Sequence, residues 1–215
     1  MNASSRPQAL PPESRPVGQL VGESIRLYGS RFWACVGLGL SLAAINQVSA
    51  GHRPGIQVLI LAAGAPLLTA SYMAACAIAF PDGPRRTWTA LAAGTLVFLP
   101  AAFLQRLYIL PAVVWLAFTG FVVPAAAVEG LPLRRVFRRS IELARADVVH
   151  AVGGIATFVL VFGLTRWMLI LLLHNQSGIA DRAAVFLADV VISPILFLGP
   201  ALLYVDQAAR SKVPT

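Results

Sequence analysis

Charge is scarce in this sequence. Only 12% of its 215 residues are Asp, Glu, Lys or Arg, about half the share found in a typical soluble domain. That leaves too little polar surface to cover a globule in water, and it excludes a water-soluble fold. Cysteine is nearly absent. Cys35 and Cys76 stand in separate apolar runs with no zinc-ligand spacing, so both read as buried structural thiols. The three histidines, His52, His150 and His174, are scattered near the ends of apolar runs and read as interfacial residues. P-loop, HExxH, GxSxG and paired-cysteine patterns are all missing. Gly37-Leu38-Gly39 lacks the third glycine and the preceding strand of a dinucleotide fingerprint. The sequence therefore predicts no enzyme, no cofactor and no metal. Asn175-Gln176-Ser177 matches a glycosylation sequon but is read as a chance occurrence.

Apolar residues fill the space that charge leaves. They make up 58% of the chain, with a mean hydropathy of +0.75. They come in long runs, and a bilayer core takes about 20 apolar residues per helix. The runs predict an all-α fold, a polytopic transmembrane bundle of about six spans at 32–50, 56–80, 88–104, 107–128, 149–173 and 183–205. Pro100, Pro111, Pro124, Pro194 and Pro200 are expected kinks or ends. Only Gln105 and Arg106 interrupt 88–128, so two spans and a re-entrant hairpin both stay open there. Residues 1–16 hold four prolines among polar residues and predict a disordered cytoplasmic tail without the marks of a secretory signal. The single transmembrane domain covers 17–210, and 211–215 forms a second tail.

Two further segments, 17–30 and 131–146, are too polar to span and predict amphipathic helices at the membrane surface. In the second, Leu133, Val136, Phe137, Ser140, Ile141 and Ala144 make one face. Arg134, Arg135, Arg138, Arg139 and Arg145 lie with Glu142 on the other, placed to meet anionic lipid headgroups. Anchoring the inner side and docking a partner both remain as roles for this helix. A shift of 116 residues superposes the two segments, Leu20 on Val136, Ser24 on Ser140 and Gly37 on Gly153. That is either a parallel internal repeat or convergence on one amphipathic template.

The net charge is +8, from 17 basic and nine acidic residues. Its placement argues for membrane orientation and against nucleic acid. With the N-terminus in the cytoplasm, 13 basic residues fall on that side. They include Arg15, Arg26, Arg31, Arg85, Arg86, Arg210, Lys212 and the arginines of 134–145. Arg53, Arg106 and Arg182 fall opposite. The positive-inside rule then puts both termini in the cytoplasm and requires an even number of spans. Arginine outnumbers lysine 16 to 1 and alanine is abundant, which points to a GC-rich bacterial genome and a cytoplasmic membrane.

Four short motifs carry a resemblance: Gly22-Glu23-Ser24-Ile25-Arg26-Leu27-Tyr28; Val123-Pro124 with Val128-Glu129-Gly130; Arg138-Arg139-Ser140-Ile141-Glu142-Leu143; and Leu202-Leu203-Tyr204-Val205-Asp206. Together they resemble a bacterial family named after the membrane domain of glycerophosphoryl diester phosphodiesterase. The resemblance covers roughly 17–40 and 120–210. It implies a polytopic membrane domain and supplies no catalytic residues, because the soluble catalytic domain of some members has no counterpart here. Gln207-Ala208-Ala209 departs from the family pattern, in which a further basic residue is usual.

Arg166 and Asp189 are the two charges inside spans, where ionisable groups are costly and usually paired or functional. Arg166 lies seven residues before the end of the fifth span and Asp189 six residues after the start of the sixth. Helical rise puts both roughly 10 Å below the same end of adjacent antiparallel helices. A locking ion pair, snorkelling of Arg166 and a proton or substrate pathway all remain as readings. The sequence as a whole predicts a non-enzymatic accessory, scaffold or assembly component. Its partners are the bilayer, anionic headgroups and either another membrane protein or a second copy. A small transporter or permease subunit is the alternative.

Overall fold

Proline and glycine divide the apolar runs into helices. A computed structural model describes residues 11–81, 87–173 and 178–212. Arg6, Arg85, Arg86, His174 and the 175–177 sequon lie outside these, as do most of the N-terminal tail and the last three residues. Every regular element among the described residues is a helix. After a 3-10 turn at Pro12–Ser14 come α1 (Val17–Ser30), α2 (Phe32–Ser49), α3 (Pro54–Ala63), α4 (Ala65–Ala79), α5 (Thr87–Leu107) and α6 (Ile109–Thr119). The order continues with α7 (Val122–Val128), α8 (Leu133–Ala146), α9 (Val148–Leu173), α10 (Gly178–Ile192) and α11 (Pro194–Arg210).

Five stretches are long and apolar enough to cross a membrane: Phe32–Ser49, Thr87–Gln105, Ile109–Val128, Val148–Leu169 and Arg182–Arg210. The α3–α4 pair makes a sixth when its two halves, bent by 48°, are taken as one span. The irregularity therefore sits at 54–79, not at 88–128. Its cause is local. Pro66 has no N–H to donate, and its ring crowds the preceding turn, which is how proline kinks a helix. The 88–128 region instead holds two apolar helices that pack on each other, α5 and α6, separated at Tyr108. Pro100 and Pro200 lie inside α5 and α11, which run through them. Pro194 opens α11.

The bundle shows bilayer-facing chemistry on its outside. Trp33, Trp88, Tyr108, Val149, Trp167 and Leu172 are more than 60% exposed. In water such apolar surface would aggregate. Trp33 and Trp88 open helices at one end of the bundle, while Tyr108 and Trp167 sit toward the other. Two belts of amphipathic rings mark the interfaces of a membrane protein. This is a multi-pass membrane protein.

Inside, helix pairs approach through small residues. A β-carbon on Gly39 of α2 would collide with the backbone carbonyl of Val190 on α10. The close α2–α10 contact depends on that missing carbon, as membrane helix packing commonly does.

The element boundaries repeat. α1 and α8 are both 14 residues long, both follow a proline (Pro16, Pro132), and both end at one non-helical residue (Arg31, Asp147) before a long apolar helix. All these boundaries shift together by 116 residues. Leu20 and Val136 are fully buried, as are Ser24 and Ser140. Neither helix depends on lipid alone to cover its apolar face. α1 packs on α11, and α8 packs on α6 and α7.

Residues 12–15, expected to belong to a disordered tail, are packed on the bundle. The turn at Pro12–Ser14 packs on α11, and Arg15 is bonded into the bundle. Arg210 Nη2 donates to the Arg15 carbonyl at 2.9 Å, so the chain enters and leaves at the same end, called the terminal end below.

Candidate functional site

At the end away from the termini, the helices enclose a cavity of about 540 Å³, within the ~300–1,000 Å³ typical of small-molecule sites. Its deep wall is apolar: Leu68, Phe98, Phe158, Phe197 and Pro200 among others. Its floor is pinned where the Tyr72 hydroxyl donates to the Gly120 carbonyl at 3.0 Å. The rim is polar. Asn46 and Ser49 come from the last turns of α2, Gln57 from the first turn of α3, Gln105 from the end of α5 and Arg166 from the outer third of α9. These rim residues are partly or fully exposed, so the cavity opens among them.

Arg166 and Asp189 meet at this rim. Arg166 Nε lies 3.3 Å from Asp189 Oδ1. The contact is ionic without hydrogen-bond alignment, since neither atom has a hydrogen-bond partner. Asp189 is 1% exposed, whereas the Arg166 side chain is 32% exposed. The carboxylate is therefore sealed, and the guanidinium that faces it also reaches the cavity. Asn46 supplies the remaining bond, with Nδ2 donating to Asp189 Oδ2 at 2.8 Å. α10 packs against both α2 and α9, which explains how one carboxylate gathers an amide and a guanidinium from its two neighbours. Asn46 escapes sequence reading, because a lone amide near the end of an apolar run carries no sign of its partner.

The terminal end is built differently. Arg15 Nη1 lies 2.9 Å from Glu23 Oε2 and 3.0 Å from Asp206 Oδ1. Asp206 is fully buried, and its Oδ2 lies 3.6 Å from His150 Nε2. Arg210 Nη1 donates to Asp147 Oδ2 at 2.7 Å, and Gln207 Nε2 to the Asp147 carbonyl at 3.0 Å. His150, expected at an interface, lies near the start of α9 and is covered by protein there. It is 7% exposed, because α1 and α11 cover the start of α9.

Beside this cluster, the Tyr204 hydroxyl donates to Glu129 Oε1 at 2.7 Å, and Arg139 Nε donates to both Glu129 oxygens at 3.0 and 3.2 Å. Residues from the four motifs fall in these two clusters: Glu23 and Asp206 in the first, and Glu129, Arg139 and Tyr204 in the second. Gln207, at the departure from the family pattern, is fully buried and helps tie α11 to the start of α9.

The arginines of α8 divide. Arg134, Arg135, Arg138 and Arg145 are exposed, with Arg138 also bonded to Glu142 at 2.8 Å. Arg139 is half-buried on Glu129. Cys35 and Cys76 are free and buried. No three His, Cys, Asp or Glu side chains among the described residues converge as metal ligands. No family model matches this chain, and no relative was found among curated proteins or solved structures.

Proposed function

We propose that this chain is a non-enzymatic accessory protein of a bacterial cytoplasmic membrane that holds an amphiphilic molecule in its cavity. Both termini lie in the cytoplasm and the cavity faces outward. The observation that carries the reading is the cavity itself: apolar in depth, and polar at a rim near the end away from the termini. A molecule with a polar head and an apolar body matches both zones. The orientation rests on charge. The exposed arginines of α8 belong to the terminal end, and an anionic inner leaflet attracts such residues by about 1 kcal/mol each. The four motifs supply two clusters that share α11, which supports reading them as a unit, in keeping with the family resemblance.

A small permease is the second reading. It is favoured by the contrast between the two ends, one holding an open cavity and the other closed by the Arg15–Asp206 and Arg210–Asp147 pairs. Loosening those pairs by Asp206→Asn would raise flux if the protein transports. It would leave flux at zero in an accessory protein.

The cavity reading is tested by filling it. Ala102 lines the cavity and is 2% exposed. Wild-type protein purified from membranes in mild detergent is expected to carry bound amphiphile, measured by native mass spectrometry. Ala102→Trp is expected to lose most of it while keeping its helical circular dichroism. Equal bound amphiphile in both proteins, or none in the wild type, overturns the proposal.

A further inference from the structure

We infer that the cavity selects for an anionic headgroup, and that its occupant is an acidic phospholipid of the surrounding leaflet, seated with its phosphate on Arg166 and a chain against the apolar wall. This rests on the cavity reading above and adds the chemical class of the occupant.

Three observations carry it. First, among the described residues Arg166 is the only charged one that lines the cavity; the other polar lining groups are Asn46, Ser49, Gln57, Tyr72 and Gln105. Second, the pair is asymmetric. Asp189 is sealed and holds only the Nε side of Arg166, at 3.3 Å and out of hydrogen-bond alignment. Arg166 makes no hydrogen bond with any described residue, so the donors of its fork remain for a ligand. Third, the neighbouring amides are partly committed. Asn46 donates to Asp189, and Gln57 Nε2 donates to the His52 carbonyl at 3.0 Å. A guanidinium fork suits a phosphate with two parallel charge-assisted bonds. Burial in a low-dielectric rim strengthens that contact relative to water.

Depth selects a lipid over a soluble anion. Arg166 lies seven residues from the end of α9, roughly 10 Å inside the helix end. The cavity below it offers apolar wall, which a soluble phosphate cannot use. The leaflet lipid is also present around the protein at far higher concentration than any solute.

The test uses the full chain in detergent, exchanged with equal amounts of phosphatidylglycerol and phosphatidylcholine of the same chains, with retained lipid counted by native mass spectrometry. Wild type is expected to retain phosphatidylglycerol about tenfold over phosphatidylcholine, because both phosphates reach the guanidinium but the choline ammonium opposes it, and tenfold corresponds to about 1.4 kcal/mol. Arg166→Gln is expected to abolish that preference, lowering phosphatidylglycerol retention more than phosphatidylcholine retention, because both phosphates lose the fork but phosphatidylcholine is also freed from the opposition of its choline cation. Because Arg166→Gln strands Asp189, the double variant Arg166→Gln/Asp189→Asn is measured beside it as a protein without buried charge at this rim. It is expected to show the same loss of preference.

Persistent phosphatidylglycerol preference in the double variant overturns the inference, and so does displacement of the lipid by inorganic phosphate alone. Equal retention of both lipids by wild type overturns the headgroup selection while leaving the cavity reading standing. Retention of neither lipid brings down both.

Discussion

Asp189 is where a single residue has most at stake. Its carboxylate is buried between α2, α9 and α10, with one hydrogen bond from Asn46 and one ionic contact to Arg166. Breaking a buried pair leaves a charge without compensation and typically costs about 3–5 kcal/mol. Here the two partners are not equivalent. Removing Asp189 leaves an arginine that reaches the polar rim, whereas removing Arg166 leaves a sealed carboxylate. Arg166→Ala is therefore expected to destabilise the protein by about 3 kcal/mol, and Asp189→Ala by less. The double substitution should recover part of the Arg166→Ala loss. Thermal unfolding of the four proteins in one detergent measures this, and additive losses would rule out coupling. The heights of Arg166 and Asp189 were legible in the sequence, because helical rise alone sets them. Asn46 and the Arg15–Asp206–His150 cluster were not. Their partners lie 143 and 191 residues away, and nothing in an apolar run indicates which face another helix will cover.

Among the helices, run length predicted the spans to within a few residues, because the hydrocarbon core sets one length for all of them. Breaks were harder to place. A break depends on whether proline interrupts the hydrogen-bond ladder at a point where neighbours can absorb the bend. α5 and α11 absorb Pro100 and Pro200, while the α3–α4 span bends by 48° at Gly64–Pro66. The pairing of α2 with α10 was not legible, although Gly39 that permits it was in plain view. Adding one methyl there forces the α2 backbone away from Val190. Overpacking of this kind costs about 1–3 kcal/mol. Gly39→Ala is thus expected to lower the unfolding temperature and to weaken the Asn46–Asp189 contact on the same helix pair. Gly37, two residues away, meets nothing within 4 Å of an added β-carbon. Gly37→Ala is the matched control, expected to leave stability unchanged. Equal effects at both positions would refute the close-packing account.

For the whole molecule, the termini and the span count constrain each other. The Arg210 side chain bonds to the Arg15 backbone, which fixes entry and exit at one end of the bundle and requires an even number of crossings. Five straight spans alone would be odd, so the bent α3–α4 pair must count as the sixth crossing. The length of the last span fits this placement. Arg182–Arg210 has 29 residues, about 44 Å of helix against a hydrocarbon core of about 30 Å. The surplus leaves room for Asp206, Gln207 and Arg210 to sit at headgroup depth, where the polar network forms. The proposed cytoplasmic side rests on charge, since the exposed arginines of α8 share that end and basic loops tend to stay in the cytoplasm. Reporter fusions at Pro7 and Val213 are accordingly expected to both report cytoplasm. A cysteine placed at the exposed Arg53, in a variant lacking Cys35 and Cys76, should react with a membrane-impermeant thiol reagent added outside intact cells. Both reporters outside would reverse the orientation and turn the cavity toward the cytoplasm. Reporters on opposite sides would show that α3–α4 is a re-entrant loop and that the Arg15–Arg210 contact does not form.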